Sequence, residues 1–114
     1  MSLSISSRSR EGITVLDLSG RITLGEDSVQ VRNTIRDLIG KGQKKILLNM
    51  GNVSYIDSAG LGELISAYTT ATNQAASVKL LNLTKKVKDL LQLTKLYTVF
   101  DVYDDEGTAL SSFK

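Results

Sequence analysis

Tyr55-Ile56-Asp57-Ser58-Ala59-Gly60-Leu61-Gly62-Glu63-Leu64 carries an apolar run into a helical pattern. Upstream, Lys45-Ile46-Leu47-Leu48-Asn49-Met50 reads as a buried strand, and Gly51-Asn52-Val53-Ser54-Tyr55 as the turn that follows it. Downstream, Leu61, Leu64, Ile65, Tyr68 and Ala75 recur at helical spacing, which predicts a helix from about Ser58 to Ala76. A hydroxyl at such a strand-to-helix turn faces solvent near the positive end of the helix dipole, a place suited to a phosphate. Three roles are open to Ser58: a nucleophile, a residue that receives a modification, or a helix-start residue.

The segments around this turn set the architecture. Leu3 to Ser7 and Ile13 to Leu18 alternate apolar and polar, and Glu11-Gly12 between them predicts an antiparallel hairpin. Gly20 is expected to end the second strand. Glu26, Asp27 and Ser28 announce a helix whose buried stripe is Val31, Ile35, Leu38 and Ile39, stopped by Gly40-Lys41-Gly42. After the central helix come a strand over Val78–Leu83, then a third helix capped by Thr84, with Val87, Leu90, Leu91 and Leu96 inward. A short strand over Val99–Tyr103 and a final helix opened by Asp104-Asp105-Glu106 complete the chain. Strands alternating with helices pair in parallel through right-handed crossovers. The expected fold is α/β: one domain over residues 1–114, with a mixed sheet of about five strands and about four packed helices.

Composition removes several kinds of function. The 114 residues include no Cys and no His, which takes away disulfides, thiolate metal sites, cysteine nucleophiles and the commonest general base. A serine nucleophile relayed through histidine is impossible, and Ser58 lacks the Gly-x-Ser-x-Gly elbow because Ile56 precedes it by two. A net charge of +2 is too small to argue for nucleic acid or an anionic membrane. No apolar run approaches the roughly 18 residues of a membrane span. The N-terminal Met1-Ser2-Leu3-Ser4-Ile5 lacks the features of a signal peptide, so a cytoplasmic location is expected. A small monomer without catalytic residues, metal or cofactor is the default.

With Asp57 as N-cap, Ser58 is the first helical residue, and Ile56 and Leu61 stand at the spacing of a hydrophobic staple. Asp57 can accept from the free amides of Ala59 or Gly60, which leaves the Ser58 hydroxyl outward and unneeded for capping. Gly60 and Gly62 each cost a helix about 1 kcal/mol relative to Ala. That cost makes sense if the backbone must lie close to the neighbouring sheet or to a docked partner. The plain alternative is that Asp57 and Ser58 are only capping residues.

Asp57-Ser58-Ala59-Gly60-Leu61-Gly62, between a strand and a helix, resembles the signature of the STAS domain family, and within it the bacterial anti-sigma factor antagonists. Gly20-Arg21-Ile22-Thr23-Leu24, Leu80-Leu81-Asn82-Leu83, Leu91-Gln92-Leu93-Thr94-Lys95-Leu96 and Val99-Phe100 extend the resemblance over essentially the whole chain. It implies a partner-switching protein that binds an anti-sigma factor, itself a serine kinase, and so releases a sigma factor. The kinase would phosphorylate Ser58, and a metal-dependent serine phosphatase would reverse this. The implied docking surface comprises Ser54, Tyr55, Asp57, Ser58, Ala59, Gly60 and Leu61, with Arg21 and Thr23 of the Arg21–Leu24 loop. Two departures stand out. Asn49 replaces an acid that many members carry, and its loss is expected to bear on recognition by kinase or phosphatase. Ala59 replaces a Ser or Thr, which leaves Ser58 without a neighbouring acceptor.

Two other functions compete with the switch: a constitutive accessory subunit of a membrane transport system of the lipid-asymmetry type, and a nucleotide-binding domain. The latter is weakened because Gly25-Glu26-Asp27-Ser28 lacks the Gly-Lys-Ser/Thr ending of a P-loop. Lys85, Lys86 and Lys88 read as a solvated face, since no aromatics interleave them as nucleic-acid binding would require. Asp101, Asp104, Asp105 and Glu106 do not match a calcium loop and suit a helix start. Tyr68 is expected in the core and Tyr55 near the partner surface.

Overall fold

The computed structural model describes residues 3–23, 25–95 and 98–113. Its elements run β1 (Leu3–Arg10), β2 (Ile13–Ile22), α1 (Glu26–Gly40), β3 (Lys45–Ile56), α2 (Ser58–Asn73), β4 (Ser77–Leu81), α3 (Lys85–Leu93), β5 (Val102–Tyr103) and α4 (Glu106–Ser111). The strands form one sheet in the order β1-β2-β3-β4-β5. β1 and β2 pair antiparallel and the remaining pairs are parallel. The hairpin turns at Glu11 and Gly12, both with positive φ (54° and 80°), the geometry whose twist suits a two-residue hairpin loop.

Alternation along the strands builds two apolar layers of unequal size. Leu16, Leu18, Ile46, Leu48 and Met50 face Val31, Ile35 and Ile39 of α1, Leu61, Leu64, Ala67 and Ala71 of α2, and Val87 and Leu91 of α3. Ile13, Val15, Leu47 and Leu81 point the other way, onto Ala109 and Leu110 of α4. Tyr68 closes the larger layer edge-to-face against Phe100, with ring centroids 5.5 Å apart. Leu38, expected in the buried stripe of α1, is only half-buried.

The largest departure from the sequence expectation lies before the Ser58 turn. Gly20 does not end β2, and Gly51–Tyr55 is not a turn. β2 continues to Ile22, and β3 follows it to Ile56. The register shows how: Asp17 lies opposite Asn49, Ser19 opposite Asn52, Gly20 opposite Val53 and Arg21 opposite Tyr55. β3 therefore takes in one extra residue twice. Such bulges bend a strand and are common beside functional sites. Val53 and Ile56 are buried on the main layer, which fixes the extension.

Smaller differences also have local causes. α2 ends at Asn73, and Ala75 sits exposed in the following turn with φ 58°. β4 stops at Leu81 because Asn82 takes a left-handed conformation (φ 57°). Thr84 occupies the cap position of α3 without a capping bond, and its hydroxyl is buried without a partner. Only Val102 and Tyr103 of the expected last strand pair with β4, while Phe100 is drawn into the core. Asp27 and Ser28 lie inside α1 rather than ahead of it, with Gly25 at the cap position. The expected inward position of Leu96 and the loop position of Leu24 lie outside the described residues.

One polar network pins α4 to the sheet. Arg8 of β1 bonds Asp17 through Nε (2.7 Å) and Glu106 through Nη1 (3.0 Å), while Arg10 reaches Glu106 at 2.8 Å. Arg8 holds both carboxyls below the usual carboxylate range. A depressed pKa contributes stability that is present above the unfolded value, near 4, and is lost as pH falls through the folded value. These side chains are 26–35% exposed, so solvent screens the effect. Arg8→Met is expected to cost roughly 1 kcal/mol at pH 7 and to flatten the loss of stability between neutrality and pH 3, read from urea unfolding at both pH values.

Candidate functional site

The site forms where β2 and β3 end side by side, with Ile22 paired to Ile56. Asp57 then leaves the sheet with extended backbone and caps α2. Its Oδ1 accepts from the Gly60 amide at 2.8 Å, and its carbonyl accepts from the Leu61 amide at 2.9 Å. Its own amide donates to the Ile22 carbonyl at 3.2 Å, which ties the start of α2 to the end of β2. Ile56 and Leu61, the expected staple, are both buried. Ser58 is the first residue of α2, is exposed, and makes no hydrogen bond through its hydroxyl among the described residues. Ala59 beside it is half-buried.

Gly60 has a packing role. A methyl group there would fall on the Ile22 carbonyl oxygen and within 2.8 Å of its Cγ2, so α2 can start this close to β2 only with glycine at that position. Gly62 differs, because a methyl group there would meet nothing within 4 Å. Gly60 and Leu61 thus face the core, and the exposed surface of the turn comes from Ser54, Tyr55, Ser58 and Gly62. Ser54 Oγ donates to the Gly20 carbonyl at 3.2 Å, bracing the bulged strand ends. Arg21, opposite Tyr55 in register, places its guanidinium 5.6 Å from the Tyr55 ring centre. The fold therefore brings Arg21 to the Ser58 turn, with Thr23 half-buried just beyond it.

A cleft of about 500 Å³ opens beside Ser58. One wall is Tyr55, Ile56, Asp57 and Ser58. The other is a single stripe of α3, Lys86, Asp89, Leu90 and Leu93, at the spacing of one helix face. Sequence reading assigned none of these α3 residues to the site. The available signal was Leu93, an apolar residue off the Val87/Leu91 face, and it is 82% exposed.

A family model described as the STAS domain matches residues 4–109. The chain belongs to the STAS domain family. The anti-sigma F factor antagonist of Paenibacillus polymyxa is 26% identical over 115 aligned residues, covering 100% of this chain and 97% of the relative. The crystal structure of an anti-sigma factor antagonist from Mycobacterium paratuberculosis has a TM-score of 0.82 at 17% identity, over 97% of this chain and 93% of that one. A structure of the Bacillus cell fate determinant SpoIIAA in its phosphorylated form has a TM-score of 0.74 at 20% identity, over 97% and 100%. These structural likenesses establish the fold.

Within this STAS domain the Asn49 departure sits far from the turn. Asn49 is mid-strand, on the α4 face, and precedes Ile56 by on the order of 20 Å of strand. Its Nδ2 donates to Asp17 at 2.8 Å and its Oδ1 accepts from the Gly51 amide at 3.2 Å. A neutral amide satisfies Asp17 where a second carboxylate would repel it. The acids near the C-terminus are also occupied. Asp105 caps α4 through the Thr108 amide (2.9 Å), Glu106 holds the arginines, and Asp104 pairs with Lys88 at 3.6 Å. No described helix is long and apolar enough to cross a membrane.

Proposed function

We propose that this STAS domain is an anti-sigma factor antagonist whose unphosphorylated form binds an anti-sigma factor at the Ser58 turn, so releasing a sigma factor. Phosphorylation of Ser58 ends that binding. The observation that carries the reading is the division of labour at the turn: Asp57 does the capping, and Ser58 presents a hydroxyl with no structural partner among the described residues. The relatives' names point the same way, and one relative has a phosphorylated form.

The anti-sigma factor is itself a serine kinase in this scheme. The γ-phosphoryl group of ATP passes to Ser58 Oγ, the hydroxyl proton is released, and ADP leaves. A metal-dependent serine phosphatase hydrolyses the phosphoserine back to serine and inorganic phosphate. This chain supplies a surface and an acceptor, and no catalytic group. Arg21, Thr23, Ser54, Tyr55 and Ala59 frame the docking surface, with Gly60 and Leu61 shaping it from beneath. A cytoplasmic monomer fits that role.

Affinity capture from the source cells with wild type, Ser58→Ala and Ser58→Asp tests the reading. Wild type and Ser58→Ala should retain an anti-sigma factor identified by mass spectrometry, and Ser58→Asp should lose it. Equal recovery by all three would leave Ser58 a helix-start residue and nothing more.

A further inference from the structure

The cleft beside Ser58 has charged groups on both walls, and most of that charge is already matched. On α3, Lys85 bonds Asp89 at 3.1 Å, and Lys88 forms an ion pair with Asp104 at 3.6 Å. Lys86 lies between them on the cleft wall, exposed and without a carboxylate partner among the described residues. Asp89 shares that wall, but Lys85 offsets its charge. On the opposite wall Asp57 is committed to the Gly60 amide, and Ser58 carries the free hydroxyl. Arg21 is a further cation near the turn, and its guanidinium lies over the Tyr55 ring.

We infer that Lys86 is the intramolecular counter-ion of phosphorylated Ser58: the phosphoryl group enters the cleft and its oxygens accept charge-assisted hydrogen bonds from the Lys86 ammonium. The inference rests on Ser58 being the phosphate acceptor. A phosphoserine adds about −1.5 to −2 charges next to Asp57, and that repulsion needs a cation. A cleft of about 500 Å³ holds both the phosphoryl group and the end of a lysine side chain. Charge-assisted bonds of this kind are the stronger class. Lys86 then offsets part of the phosphoserine charge within the domain, and the remainder still faces a docking partner.

Phosphoserine inserted at position 58 by codon suppression tests this without any kinase, so its outcome is separate from whether Ser58 is phosphorylated in the cell. The second ionisation of the phosphate is followed by phosphorus NMR against pH. Removing a facing cation raises that pKa, which is about 6 in a free phosphoserine. Lys86→Gln should raise it by about half a unit relative to the parent phosphoprotein, with Lys86→Arg restoring it. Lys88→Gln, the same charge change away from the cleft, should leave it in place. A shift with Lys86→Gln no larger than with Lys88→Gln would overturn the assignment, as would a shift seen only with Arg21→Gln.

Discussion

Gly60→Ala is expected to destabilise the protein by about 2–3 kcal/mol, while Gly62→Ala, two residues on, stabilises it by about 0.5–1 kcal/mol. The opposite signs follow from what each α-carbon faces. The Gly60 α-carbon is set against the Ile22 backbone, and the Asp57–Ile22 and Asp57–Gly60 hydrogen bonds prevent α2 from sliding away to make room. An added methyl must therefore break the junction of β2, β3 and α2. Gly62 faces open space, so alanine there only removes the entropy that glycine costs a helix. In a domain of this size each kcal/mol moves the melting temperature by roughly 5 °C. Melting curves should show a fall of about 10–15 °C for Gly60→Ala and a rise of a few degrees for Gly62→Ala. A neutral Gly60→Ala would mean that α2 does not start against β2 as described.

Phosphorylating Ser58 is expected to weaken binding of the anti-sigma factor by about a hundredfold or more without unfolding the domain. The Ser58 side chain is exposed and its hydroxyl makes no hydrogen bond among the described residues, so the folded state has no side-chain hydrogen bond to lose. The start of α2 favours a negative charge by about 0.3–1 kcal/mol, which offsets part of the repulsion from Asp57. A docked partner has no such compensation. It must strip water from a dianion or face it with its own polar groups, and unfavourable charge at an interface costs several kcal/mol. About 3 kcal/mol is already two decades of affinity. The melting temperature of the phosphorylated protein should stay within a few degrees of the parent, which separates a surface block from a loss of fold.

The turn itself was readable because its determinants are local. Asp57 as cap, Ile56 and Leu61 as staple, and Ser58 as the outward first residue all follow from spacing along one short segment. The order of strands and helices followed from periodicity in the same way. What escaped was set by pairing partners remote in sequence. Gly51-Asn52-Val53-Ser54 has the composition of a turn, yet β2 extends alongside it and two bulges absorb the misfit. Val99-Phe100 has the composition of a strand, yet Phe100 packs on Tyr68, and the short β4 offers pairing only to Val102 and Tyr103. The second wall of the cleft is the extreme case. Lys86 and Ser58 are brought to one cleft only because the α3 segment folds back beside the β3–α2 turn.

The switch at Ser58 is tested most directly by calorimetric titration of the anti-sigma factor into the domain carrying serine, then phosphoserine, at position 58. The account predicts tight binding to the serine form, and binding at least about a hundredfold weaker, or none, to the phosphoserine form at unchanged melting temperature. Equal affinity for the two forms would contradict it.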